Sequence, residues 1–263
     1  MNIMDRLRND EFPLRRRALL VLASALCLGA VFLALVLLLG SCAARFDGSI
    51  AADGGARIDF KAEVPAVVGD KLRKLGAAGG GTVGAETPLF DLGQVRSAIV
   101  ARPELSLVEL SRPSPDSLKG TVAVKSLAKL ASGPGLAGTG ALAYSTGPGW
   151  AELRIRLARG PESGLAALLP GVDPYLLDAL SPPALEEEGA GAEEYRTMLR
   201  SVFGEKAMPA LEAAAATVAL TVPGEPIASG GGVLEGRSLK VRLPMVDVLV
   251  LEKPIEFWIR WKR

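Results

Sequence analysis

The stretch from Ala44 to Pro65 reads ARFDGSIAADGGARIDFKAEVP, and its rhythm decides the architecture. Phe46, Ser49 and Ile50 lead into Ala52-Asp53-Gly54-Gly55, after which Ile58, Phe60, Ala62 and Val64 recur at every second position. Asp-Gly between two apolar runs signals a hairpin, because these residues accept the left-handed backbone of a tight turn. A period of two places those apolar side chains on one face of a strand. The chain therefore opens an antiparallel sheet.

Further along, AVVGDKLRKLG (66–76) suits a short amphipathic helix stopped by Gly79-Gly80-Gly81, and a second helix is expected over 89–101, before Pro103. Leu105 to Leu110 and Leu118 to Val124 read as strands around a turn at Pro113-Ser114-Pro115-Asp116. Gly140 to Tyr144 and Trp150 to Leu157 flank Thr146-Gly147-Pro148-Gly149. In the second of these, Leu153, Ile155 and Leu157 alternate with Glu152, Arg154 and Arg156, which predicts one wet face.

Between about 161 and 216 the period becomes helical: Leu165, Leu168 and Leu169, then Tyr175 to Leu180, then Tyr195, Met198, Leu199 and Phe203. Glu186-Glu187-Glu188 reads as a solvated linker, Glu193-Glu194 suits a helix N-terminus, and LEAAAAT (211–217) extends the helical run. Strand rhythm returns at Thr217 to Val222, at Leu239, Val241 and Leu243, and at Ile255, Phe257, Ile259 and Trp261. The expected fold is α+β: an antiparallel sheet with an inserted helical segment, in a single exported domain over residues 42–263.

The word "exported" rests on what precedes the hairpin. Residues 1–17 end in Arg15-Arg16-Arg17, and Ala18 to Leu39 then run uncharged for about 22 residues, enough to span a bilayer as a helix. Cations before the span hold that end in the cytoplasm. The run closes on Leu39-Gly40-Ser41-Cys42, which resembles the bacterial lipobox: an aliphatic residue, two small residues, then cysteine. The resemblance implies cleavage between Ser41 and Cys42, a diacylglyceryl thioether on Cys42 and acylation of the new amino terminus. Residues 1–41 are then a lipoprotein signal peptide. The alternative is an uncleaved anchor, since secretory apolar regions usually run 7–15 residues. Two or three acyl chains hold a protein firmly where one does not. Ala43 stands where aspartate often retains lipoproteins at the inner membrane, so the outer membrane is favoured in a cell that has one.

Composition excludes several activities. The chain has no histidine, and no asparagine after Asn9, so neither a Ser-His-Asp nor a Cys-His arrangement nor a His-ligated zinc can form. Its two cysteines, Cys27 in the apolar run and Cys42, build no thiolate cluster. Of 30 Lys/Arg and 29 Asp/Glu, residues 1–41 hold five and three, leaving 25 and 26 and a net charge of −1. A nucleic-acid partner, which needs a cationic surplus, is not expected. No cofactor is implied.

The remaining motifs have plain explanations. Gly133-Pro134-Gly135-Leu136-Ala137-Gly138 matches a dinucleotide fingerprint in letters but leads into a strand rather than a helix, so it reads as a mobile loop. Ser126-Leu127-Ala128-Lys129 matches the S-x-x-K of penicillin-interacting serine enzymes but lacks their partner motifs, and reads as the wet side of a strand end. Asp173 with Asp178, and Glu186 to Glu188, read as solvated acids rather than a carboxylate pair or a calcium loop. Trp258, Arg260, Trp261, Lys262 and Arg263 could touch lipid headgroups, but read as an edge strand with Trp261 in the core and cations guarding the edge.

The cysteine followed by FDGSIAADGGARIDF, taken with the late VPGEPIASGGGVLEGRSLKVRLP, resembles the LppM-type domain of bacterial lipoproteins. In that family a hairpin follows the lipidated cysteine, and a PG-x-I…G…G strand-turn-strand returns late. Here Pro223 and Gly224 match, Glu225-Pro226 displaces Ile227 by one position, and Ser229-Gly230 replaces the usual Asn-Gly. The resemblance covers about a third of the exported part and implies an α+β envelope domain that contacts lipid or glycolipid. It transfers no active-site residue. The sequence thus reads as a membrane-anchored, non-enzymatic envelope lipoprotein on the extracytoplasmic side, binding a lipid, glycan or protein partner. The alternative is an envelope hydrolase using Ser126 and Lys129 or two carboxylates. A helical layer over a curved sheet could leave an apolar groove for such a ligand.

Overall fold

The computed structural model describes residues 42–78, 87–159 and 191–263. Contacts divide the chain into two compact units, Met1–Ser41 and Cys42–Arg263. The signal segment, the glycines at 79–81, the 161–190 part of the helical insertion, and the acids at 173, 178 and 186–188 lie outside the described residues.

The second unit is α+β. The opening hairpin forms as the Asp-Gly signal predicts: β1 (Cys42–Ile50) and β2 (Ala56–Glu63) pair antiparallel, Ile50 opposite Ala56. Gly54 takes φ +86° in the turn, and the Asp53 carboxylate accepts the Gly55 N–H at 2.9 Å. Helix α1 (Ala66–Ala78) follows, then α2 (Leu92–Val100), whose N-cap Asp91 accepts the N–H groups of Gly93 and Gln94. β3 (Leu105–Ser111) and β4 (Ser117–Val124) form the second hairpin, α3 (Leu127–Ala131) follows, and β5 (Leu142–Gly147) and β6 (Trp150–Leu157) form the third. After α4 (Ala192–Phe203) and α5 (Met208–Ala213) come β7 (Ala215–Thr221), β8 (Pro226–Gly230), β9 (Val233–Glu235) and β10 (Ser238–Pro244). Helix α6 (Met245–Val250) and β11 (Ile255–Lys262) close the chain.

The strands make two sheets rather than one. Seven lie in the order β3-β4-β2-β1-β7-β10-β9, and four in the order β5-β6-β11-β8. Every pair is antiparallel except β1 with β7. The inner faces of the two sheets share one core, in which Leu220, Leu239 and Val241 meet Leu153, Phe257, Ile259 and Trp261. The chain crosses between sheets at Gly230-Gly231-Gly232. There Gly231 takes φ +76° and lies against the backbone of Phe257, so a side chain does not fit. α2 covers the β2–β3–β4 side through Val95, Ile99, Leu118 and Val122. Helices α1, α4, α5 and α6 build a third core around Val68, Tyr195, Leu199, Phe203 and Val246. Buried Arg73 of α1 reaches Asp116 in the β3–β4 turn and Asp70 on its own helix.

Four local expectations are corrected. β11 is not an edge strand: it lies between β6 and β8. The alanine run does not continue as helix, because Ala215 and Ala216 pair with β1 on one side and β10 on the other. Glu152 is buried, so β6 is not uniformly wet on that face. The glycine-bearing 133–138 loop is held by Leu136, which is 2% exposed within the main core.

Two outcomes test this packing. Gly120 leaves room for the Phe60 ring: a Cβ there would lie 2.6 Å from Phe60 Cζ and 2.7 Å from the Glu109 carbonyl oxygen. Gly120→Ala is expected to cost about 1–3 kcal/mol, read as a lower midpoint in urea unfolding. Burial also pushes the Tyr195 phenol well above its ordinary value of 10.0. The unfolded chain therefore ionises first, and stability present below pH 10 falls as the pH rises beyond it. Tyr195→Phe is expected to flatten that alkaline loss.

Candidate functional site

Three features of the domain can carry function, and each follows from the strand order. The first is the anchor end. Cys42 is the first residue of β1 and is in register with Ala215 of β7. No spacer separates it from the sheet. The parallel pair brings the start of β7, the end of β2 at Glu63 and the end of β10 at Pro244 to the same end of the seven-stranded sheet.

The second is a cleft of about 480 Å³ beside β10. β9 pairs only with Ser238 to Lys240, which leaves the remainder of β10 at the sheet edge. Val241, Leu243, Val250 and Ile255 supply apolar lining, while Arg242, Asp247, Glu252 and Lys253 add charge. Leu251, the C-cap of α6, takes φ 47° and turns the chain toward β11 beside this cleft. The volume lies within the usual range for small-ligand sites, about 300–1,000 Å³.

The third is the outer face of the four-stranded sheet. Gly147 lies opposite Trp150 and Gly230 opposite Trp258, and each glycine leaves space that the neighbouring indole occupies. The Arg260 guanidinium stacks 4.7 Å from the Trp150 ring centroid, and Arg154 stacks 5.4 Å from that of Trp258. Glu152 ties them together, accepting from Arg260 at 2.7 Å and from Arg154 at 3.1 Å, while Arg154 also reaches Glu256. The hydrogen bond to Glu152 holds the Arg154 pKa above its ordinary value, against partial desolvation. Trp261 points the other way, 1% exposed, with its ring 6.3 Å from that of Tyr144. Lys262 pairs with Glu225, lowering the Glu225 pKa.

Sequence reasoning placed Trp258 and Arg260 on one face, but missed Glu152, Arg154 and Trp150 as their partners. Alternation along β6 does put Glu152 and Arg154 on one face; only the pairing of β6 with β11 sets that face beside Trp258 and Arg260. Ser126 is the N-cap of α3, where its Oγ accepts the Lys129 N–H at 3.3 Å. It lies at a helix start rather than a strand end. Among the described residues, no group of three or more His, Cys, Asp or Glu is arranged to hold a metal, and no helix is long and apolar enough to cross a membrane.

No family model matches the chain, and no curated protein matches it. A solved structure similar to it is the folded domain of LppM from Mycobacterium tuberculosis, determined by NMR. The two are 12% identical over 85% of this chain and 91% of that one, with a TM-score of 0.36.

The Glu152 cluster makes a direct prediction. Glu152→Ala would remove the shared, nearly dry carboxylate from two stacked guanidiniums that are themselves 37% and 41% exposed. Because water can reach both guanidiniums, chemical unfolding is expected to show a loss of about 1 kcal/mol. A double-mutant cycle with Arg260→Ala should return a coupling above the scatter of additive pairs, about 0.5 kcal/mol.

Proposed function

We propose that the chain is a bacterial lipoprotein, cut between Ser41 and Cys42 and held by acyl chains on Cys42 to the extracytoplasmic side of a membrane. The observation that carries this reading is the coincidence of two boundaries. The lipobox-like Leu39-Gly40-Ser41-Cys42 ends at the residue where the compact unit and its first strand begin. Cleavage before Cys42 would therefore remove nothing from the folded unit. The domain acts as a non-enzymatic envelope component that binds a lipid, glycan or protein partner. The part-apolar cleft beside β10 is the site of suitable size for an acyl chain or another small amphiphile.

Cells fed an alkyne-tagged fatty acid test the anchor. The N-terminal peptide of the purified protein is expected to begin at Cys42 and to carry the tag. Cys42→Ser should lose the tag and accumulate the uncut chain. An untagged peptide with residues 1–41 still attached would sink this reading.

A further inference from the structure

The outer face of the seven-stranded sheet carries its charges in bands, and the strand registers reveal them. Lys119 of β4 stands opposite Lys61 of β2, Lys61 opposite Arg45 of β1, Arg45 beside Thr217 of β7, and Thr217 opposite Arg242 of β10. Four cations thus lie in one row across five strands, spanning about 19 Å at ~4.8 Å per strand. All four are exposed. Two residues further from Cys42, the corresponding row carries Glu109, Asp59 and Asp47, and ends on β10 at Lys240, which is paired with Glu235. The cationic row thus lies nearer the anchor end than the mainly acidic one, with Glu63, the ion-pair partner of Lys61, nearer that end still.

Such a row costs energy in an isolated domain, since like charges directly opposite one another on a sheet repel. Some of that cost is offset internally. Arg45 bonds Asp47 at 2.7 Å and Lys61 bonds Glu63 at 2.7 Å. Lys119 and Arg242 make no ion pair among the described residues, and Arg242 has only a 3.4 Å bond to the Ala213 carbonyl. Position supplies the second argument. Arg45 is three residues along β1 from Cys42, about 10 Å at ~3.3 Å per residue, and Lys and Arg stems extend the reach further. That separation is comparable to the Debye length at physiological salt, about 8 Å, so charges at this height still sense a surface.

We infer that the in-register row Lys119–Lys61–Arg45–Arg242 seats the anchor end of the domain against the anionic headgroups of the bilayer that holds Cys42. This rests on the proposed acylation and adds an orientation to it: the domain stands with its cationic band at the membrane and its acidic band away from it. Headgroup phosphates supply the opposite charge that Lys119 and Arg242 lack among the described residues.

Amine footprinting of the full acylated chain tests the inference. The protein is reconstituted in vesicles of phosphatidylcholine alone, or of phosphatidylcholine with one third phosphatidylglycerol, at low salt. A water-soluble acylating reagent then marks exposed lysines, with Lys129, beside the distal Gly54 turn, as the internal reference. Labelling of Lys61 and Lys119 is expected to fall at least threefold on the anionic vesicles and to recover in high salt, while Lys129 is unchanged. Equal labelling on both vesicle types would overturn the inference, and so would equal protection by inorganic phosphate without anionic lipid. The N-terminal peptide from the same sample is weighed separately. An unacylated, uncut peptide with the protection intact removes the lipoprotein reading and leaves the surface assignment standing; an acylated peptide without protection does the reverse.

Discussion

The parallel pairing of β1 with β7 is the constraint on which the rest depends. Seven residues of β1, from Cys42 to Ser49, are in register with Ala215 to Thr221, and β2 occupies the other edge of β1. Without β1 the seven-stranded sheet would divide into β3-β4-β2 and β7-β10-β9. Small residues at this seam, among them Ala44, Gly48, Ala216 and Ala219, let the strands meet while larger neighbours fill the core. A Cβ on Gly48 would lie 3.0 Å from Leu220 Cδ2. The strand that begins at the proposed tether is therefore a central one. Force on the anchor would be shared by hydrogen bonds on both sides of β1 rather than peeling an edge.

That pairing also marks the limit of what the sequence discloses. Hairpins were legible because their cause is local: Asp53-Gly54 and Pro148-Gly149 each set a turn between runs of period two, and each forms as expected. Helices α1, α2 and α4 were legible from their 3.6-residue rhythm. The division into two sheets was not, because no local preference tells β7 that its neighbour lies more than 160 residues earlier in the chain. The alanine run at 213–216 shows the same competition. Intrinsic propensity favours helix, yet two strand partners claim Ala215 and Ala216. The edge assignment of β11 failed because its partner β8 hides in PGEPIASGGG, where proline and glycine read as turn alone.

The functional surfaces divide along the same line. Cys42 was legible because a cysteine after an apolar run is a local motif. The charge band was legible only once register was known, since Lys119, Lys61, Arg45 and Arg242 are scattered over nearly two hundred residues. On β2 alone, Arg57-Ile-Asp59-Phe-Lys61-Ala-Glu63 reads as alternating signs and suggests a neutral wet face. Crossing to β4 and β1 places Lys61 between Lys119 and Arg45, and that neutrality becomes banding.

The two charged faces differ in the way that separates a structural cluster from a surface awaiting a partner. On the smaller sheet, each stacked guanidinium has an indole and the Glu152 carboxylate, and Glu152 itself is nearly dry. A desolvated carboxylate held by two cations is complete, and an outside anion would have to displace it at a cost. The row on the larger sheet has the opposite balance. Its cations are wet, and two of the four lack an acid among the described residues. Exposed pairs contribute little to stability, typically 0–1 kcal/mol, so the partners that Arg45 and Lys61 do have can be exchanged cheaply. Repulsion along the row and weak internal pairing act in the same direction. Both favour an external anion, and the geometry of β1 sets that anion beside the cysteine.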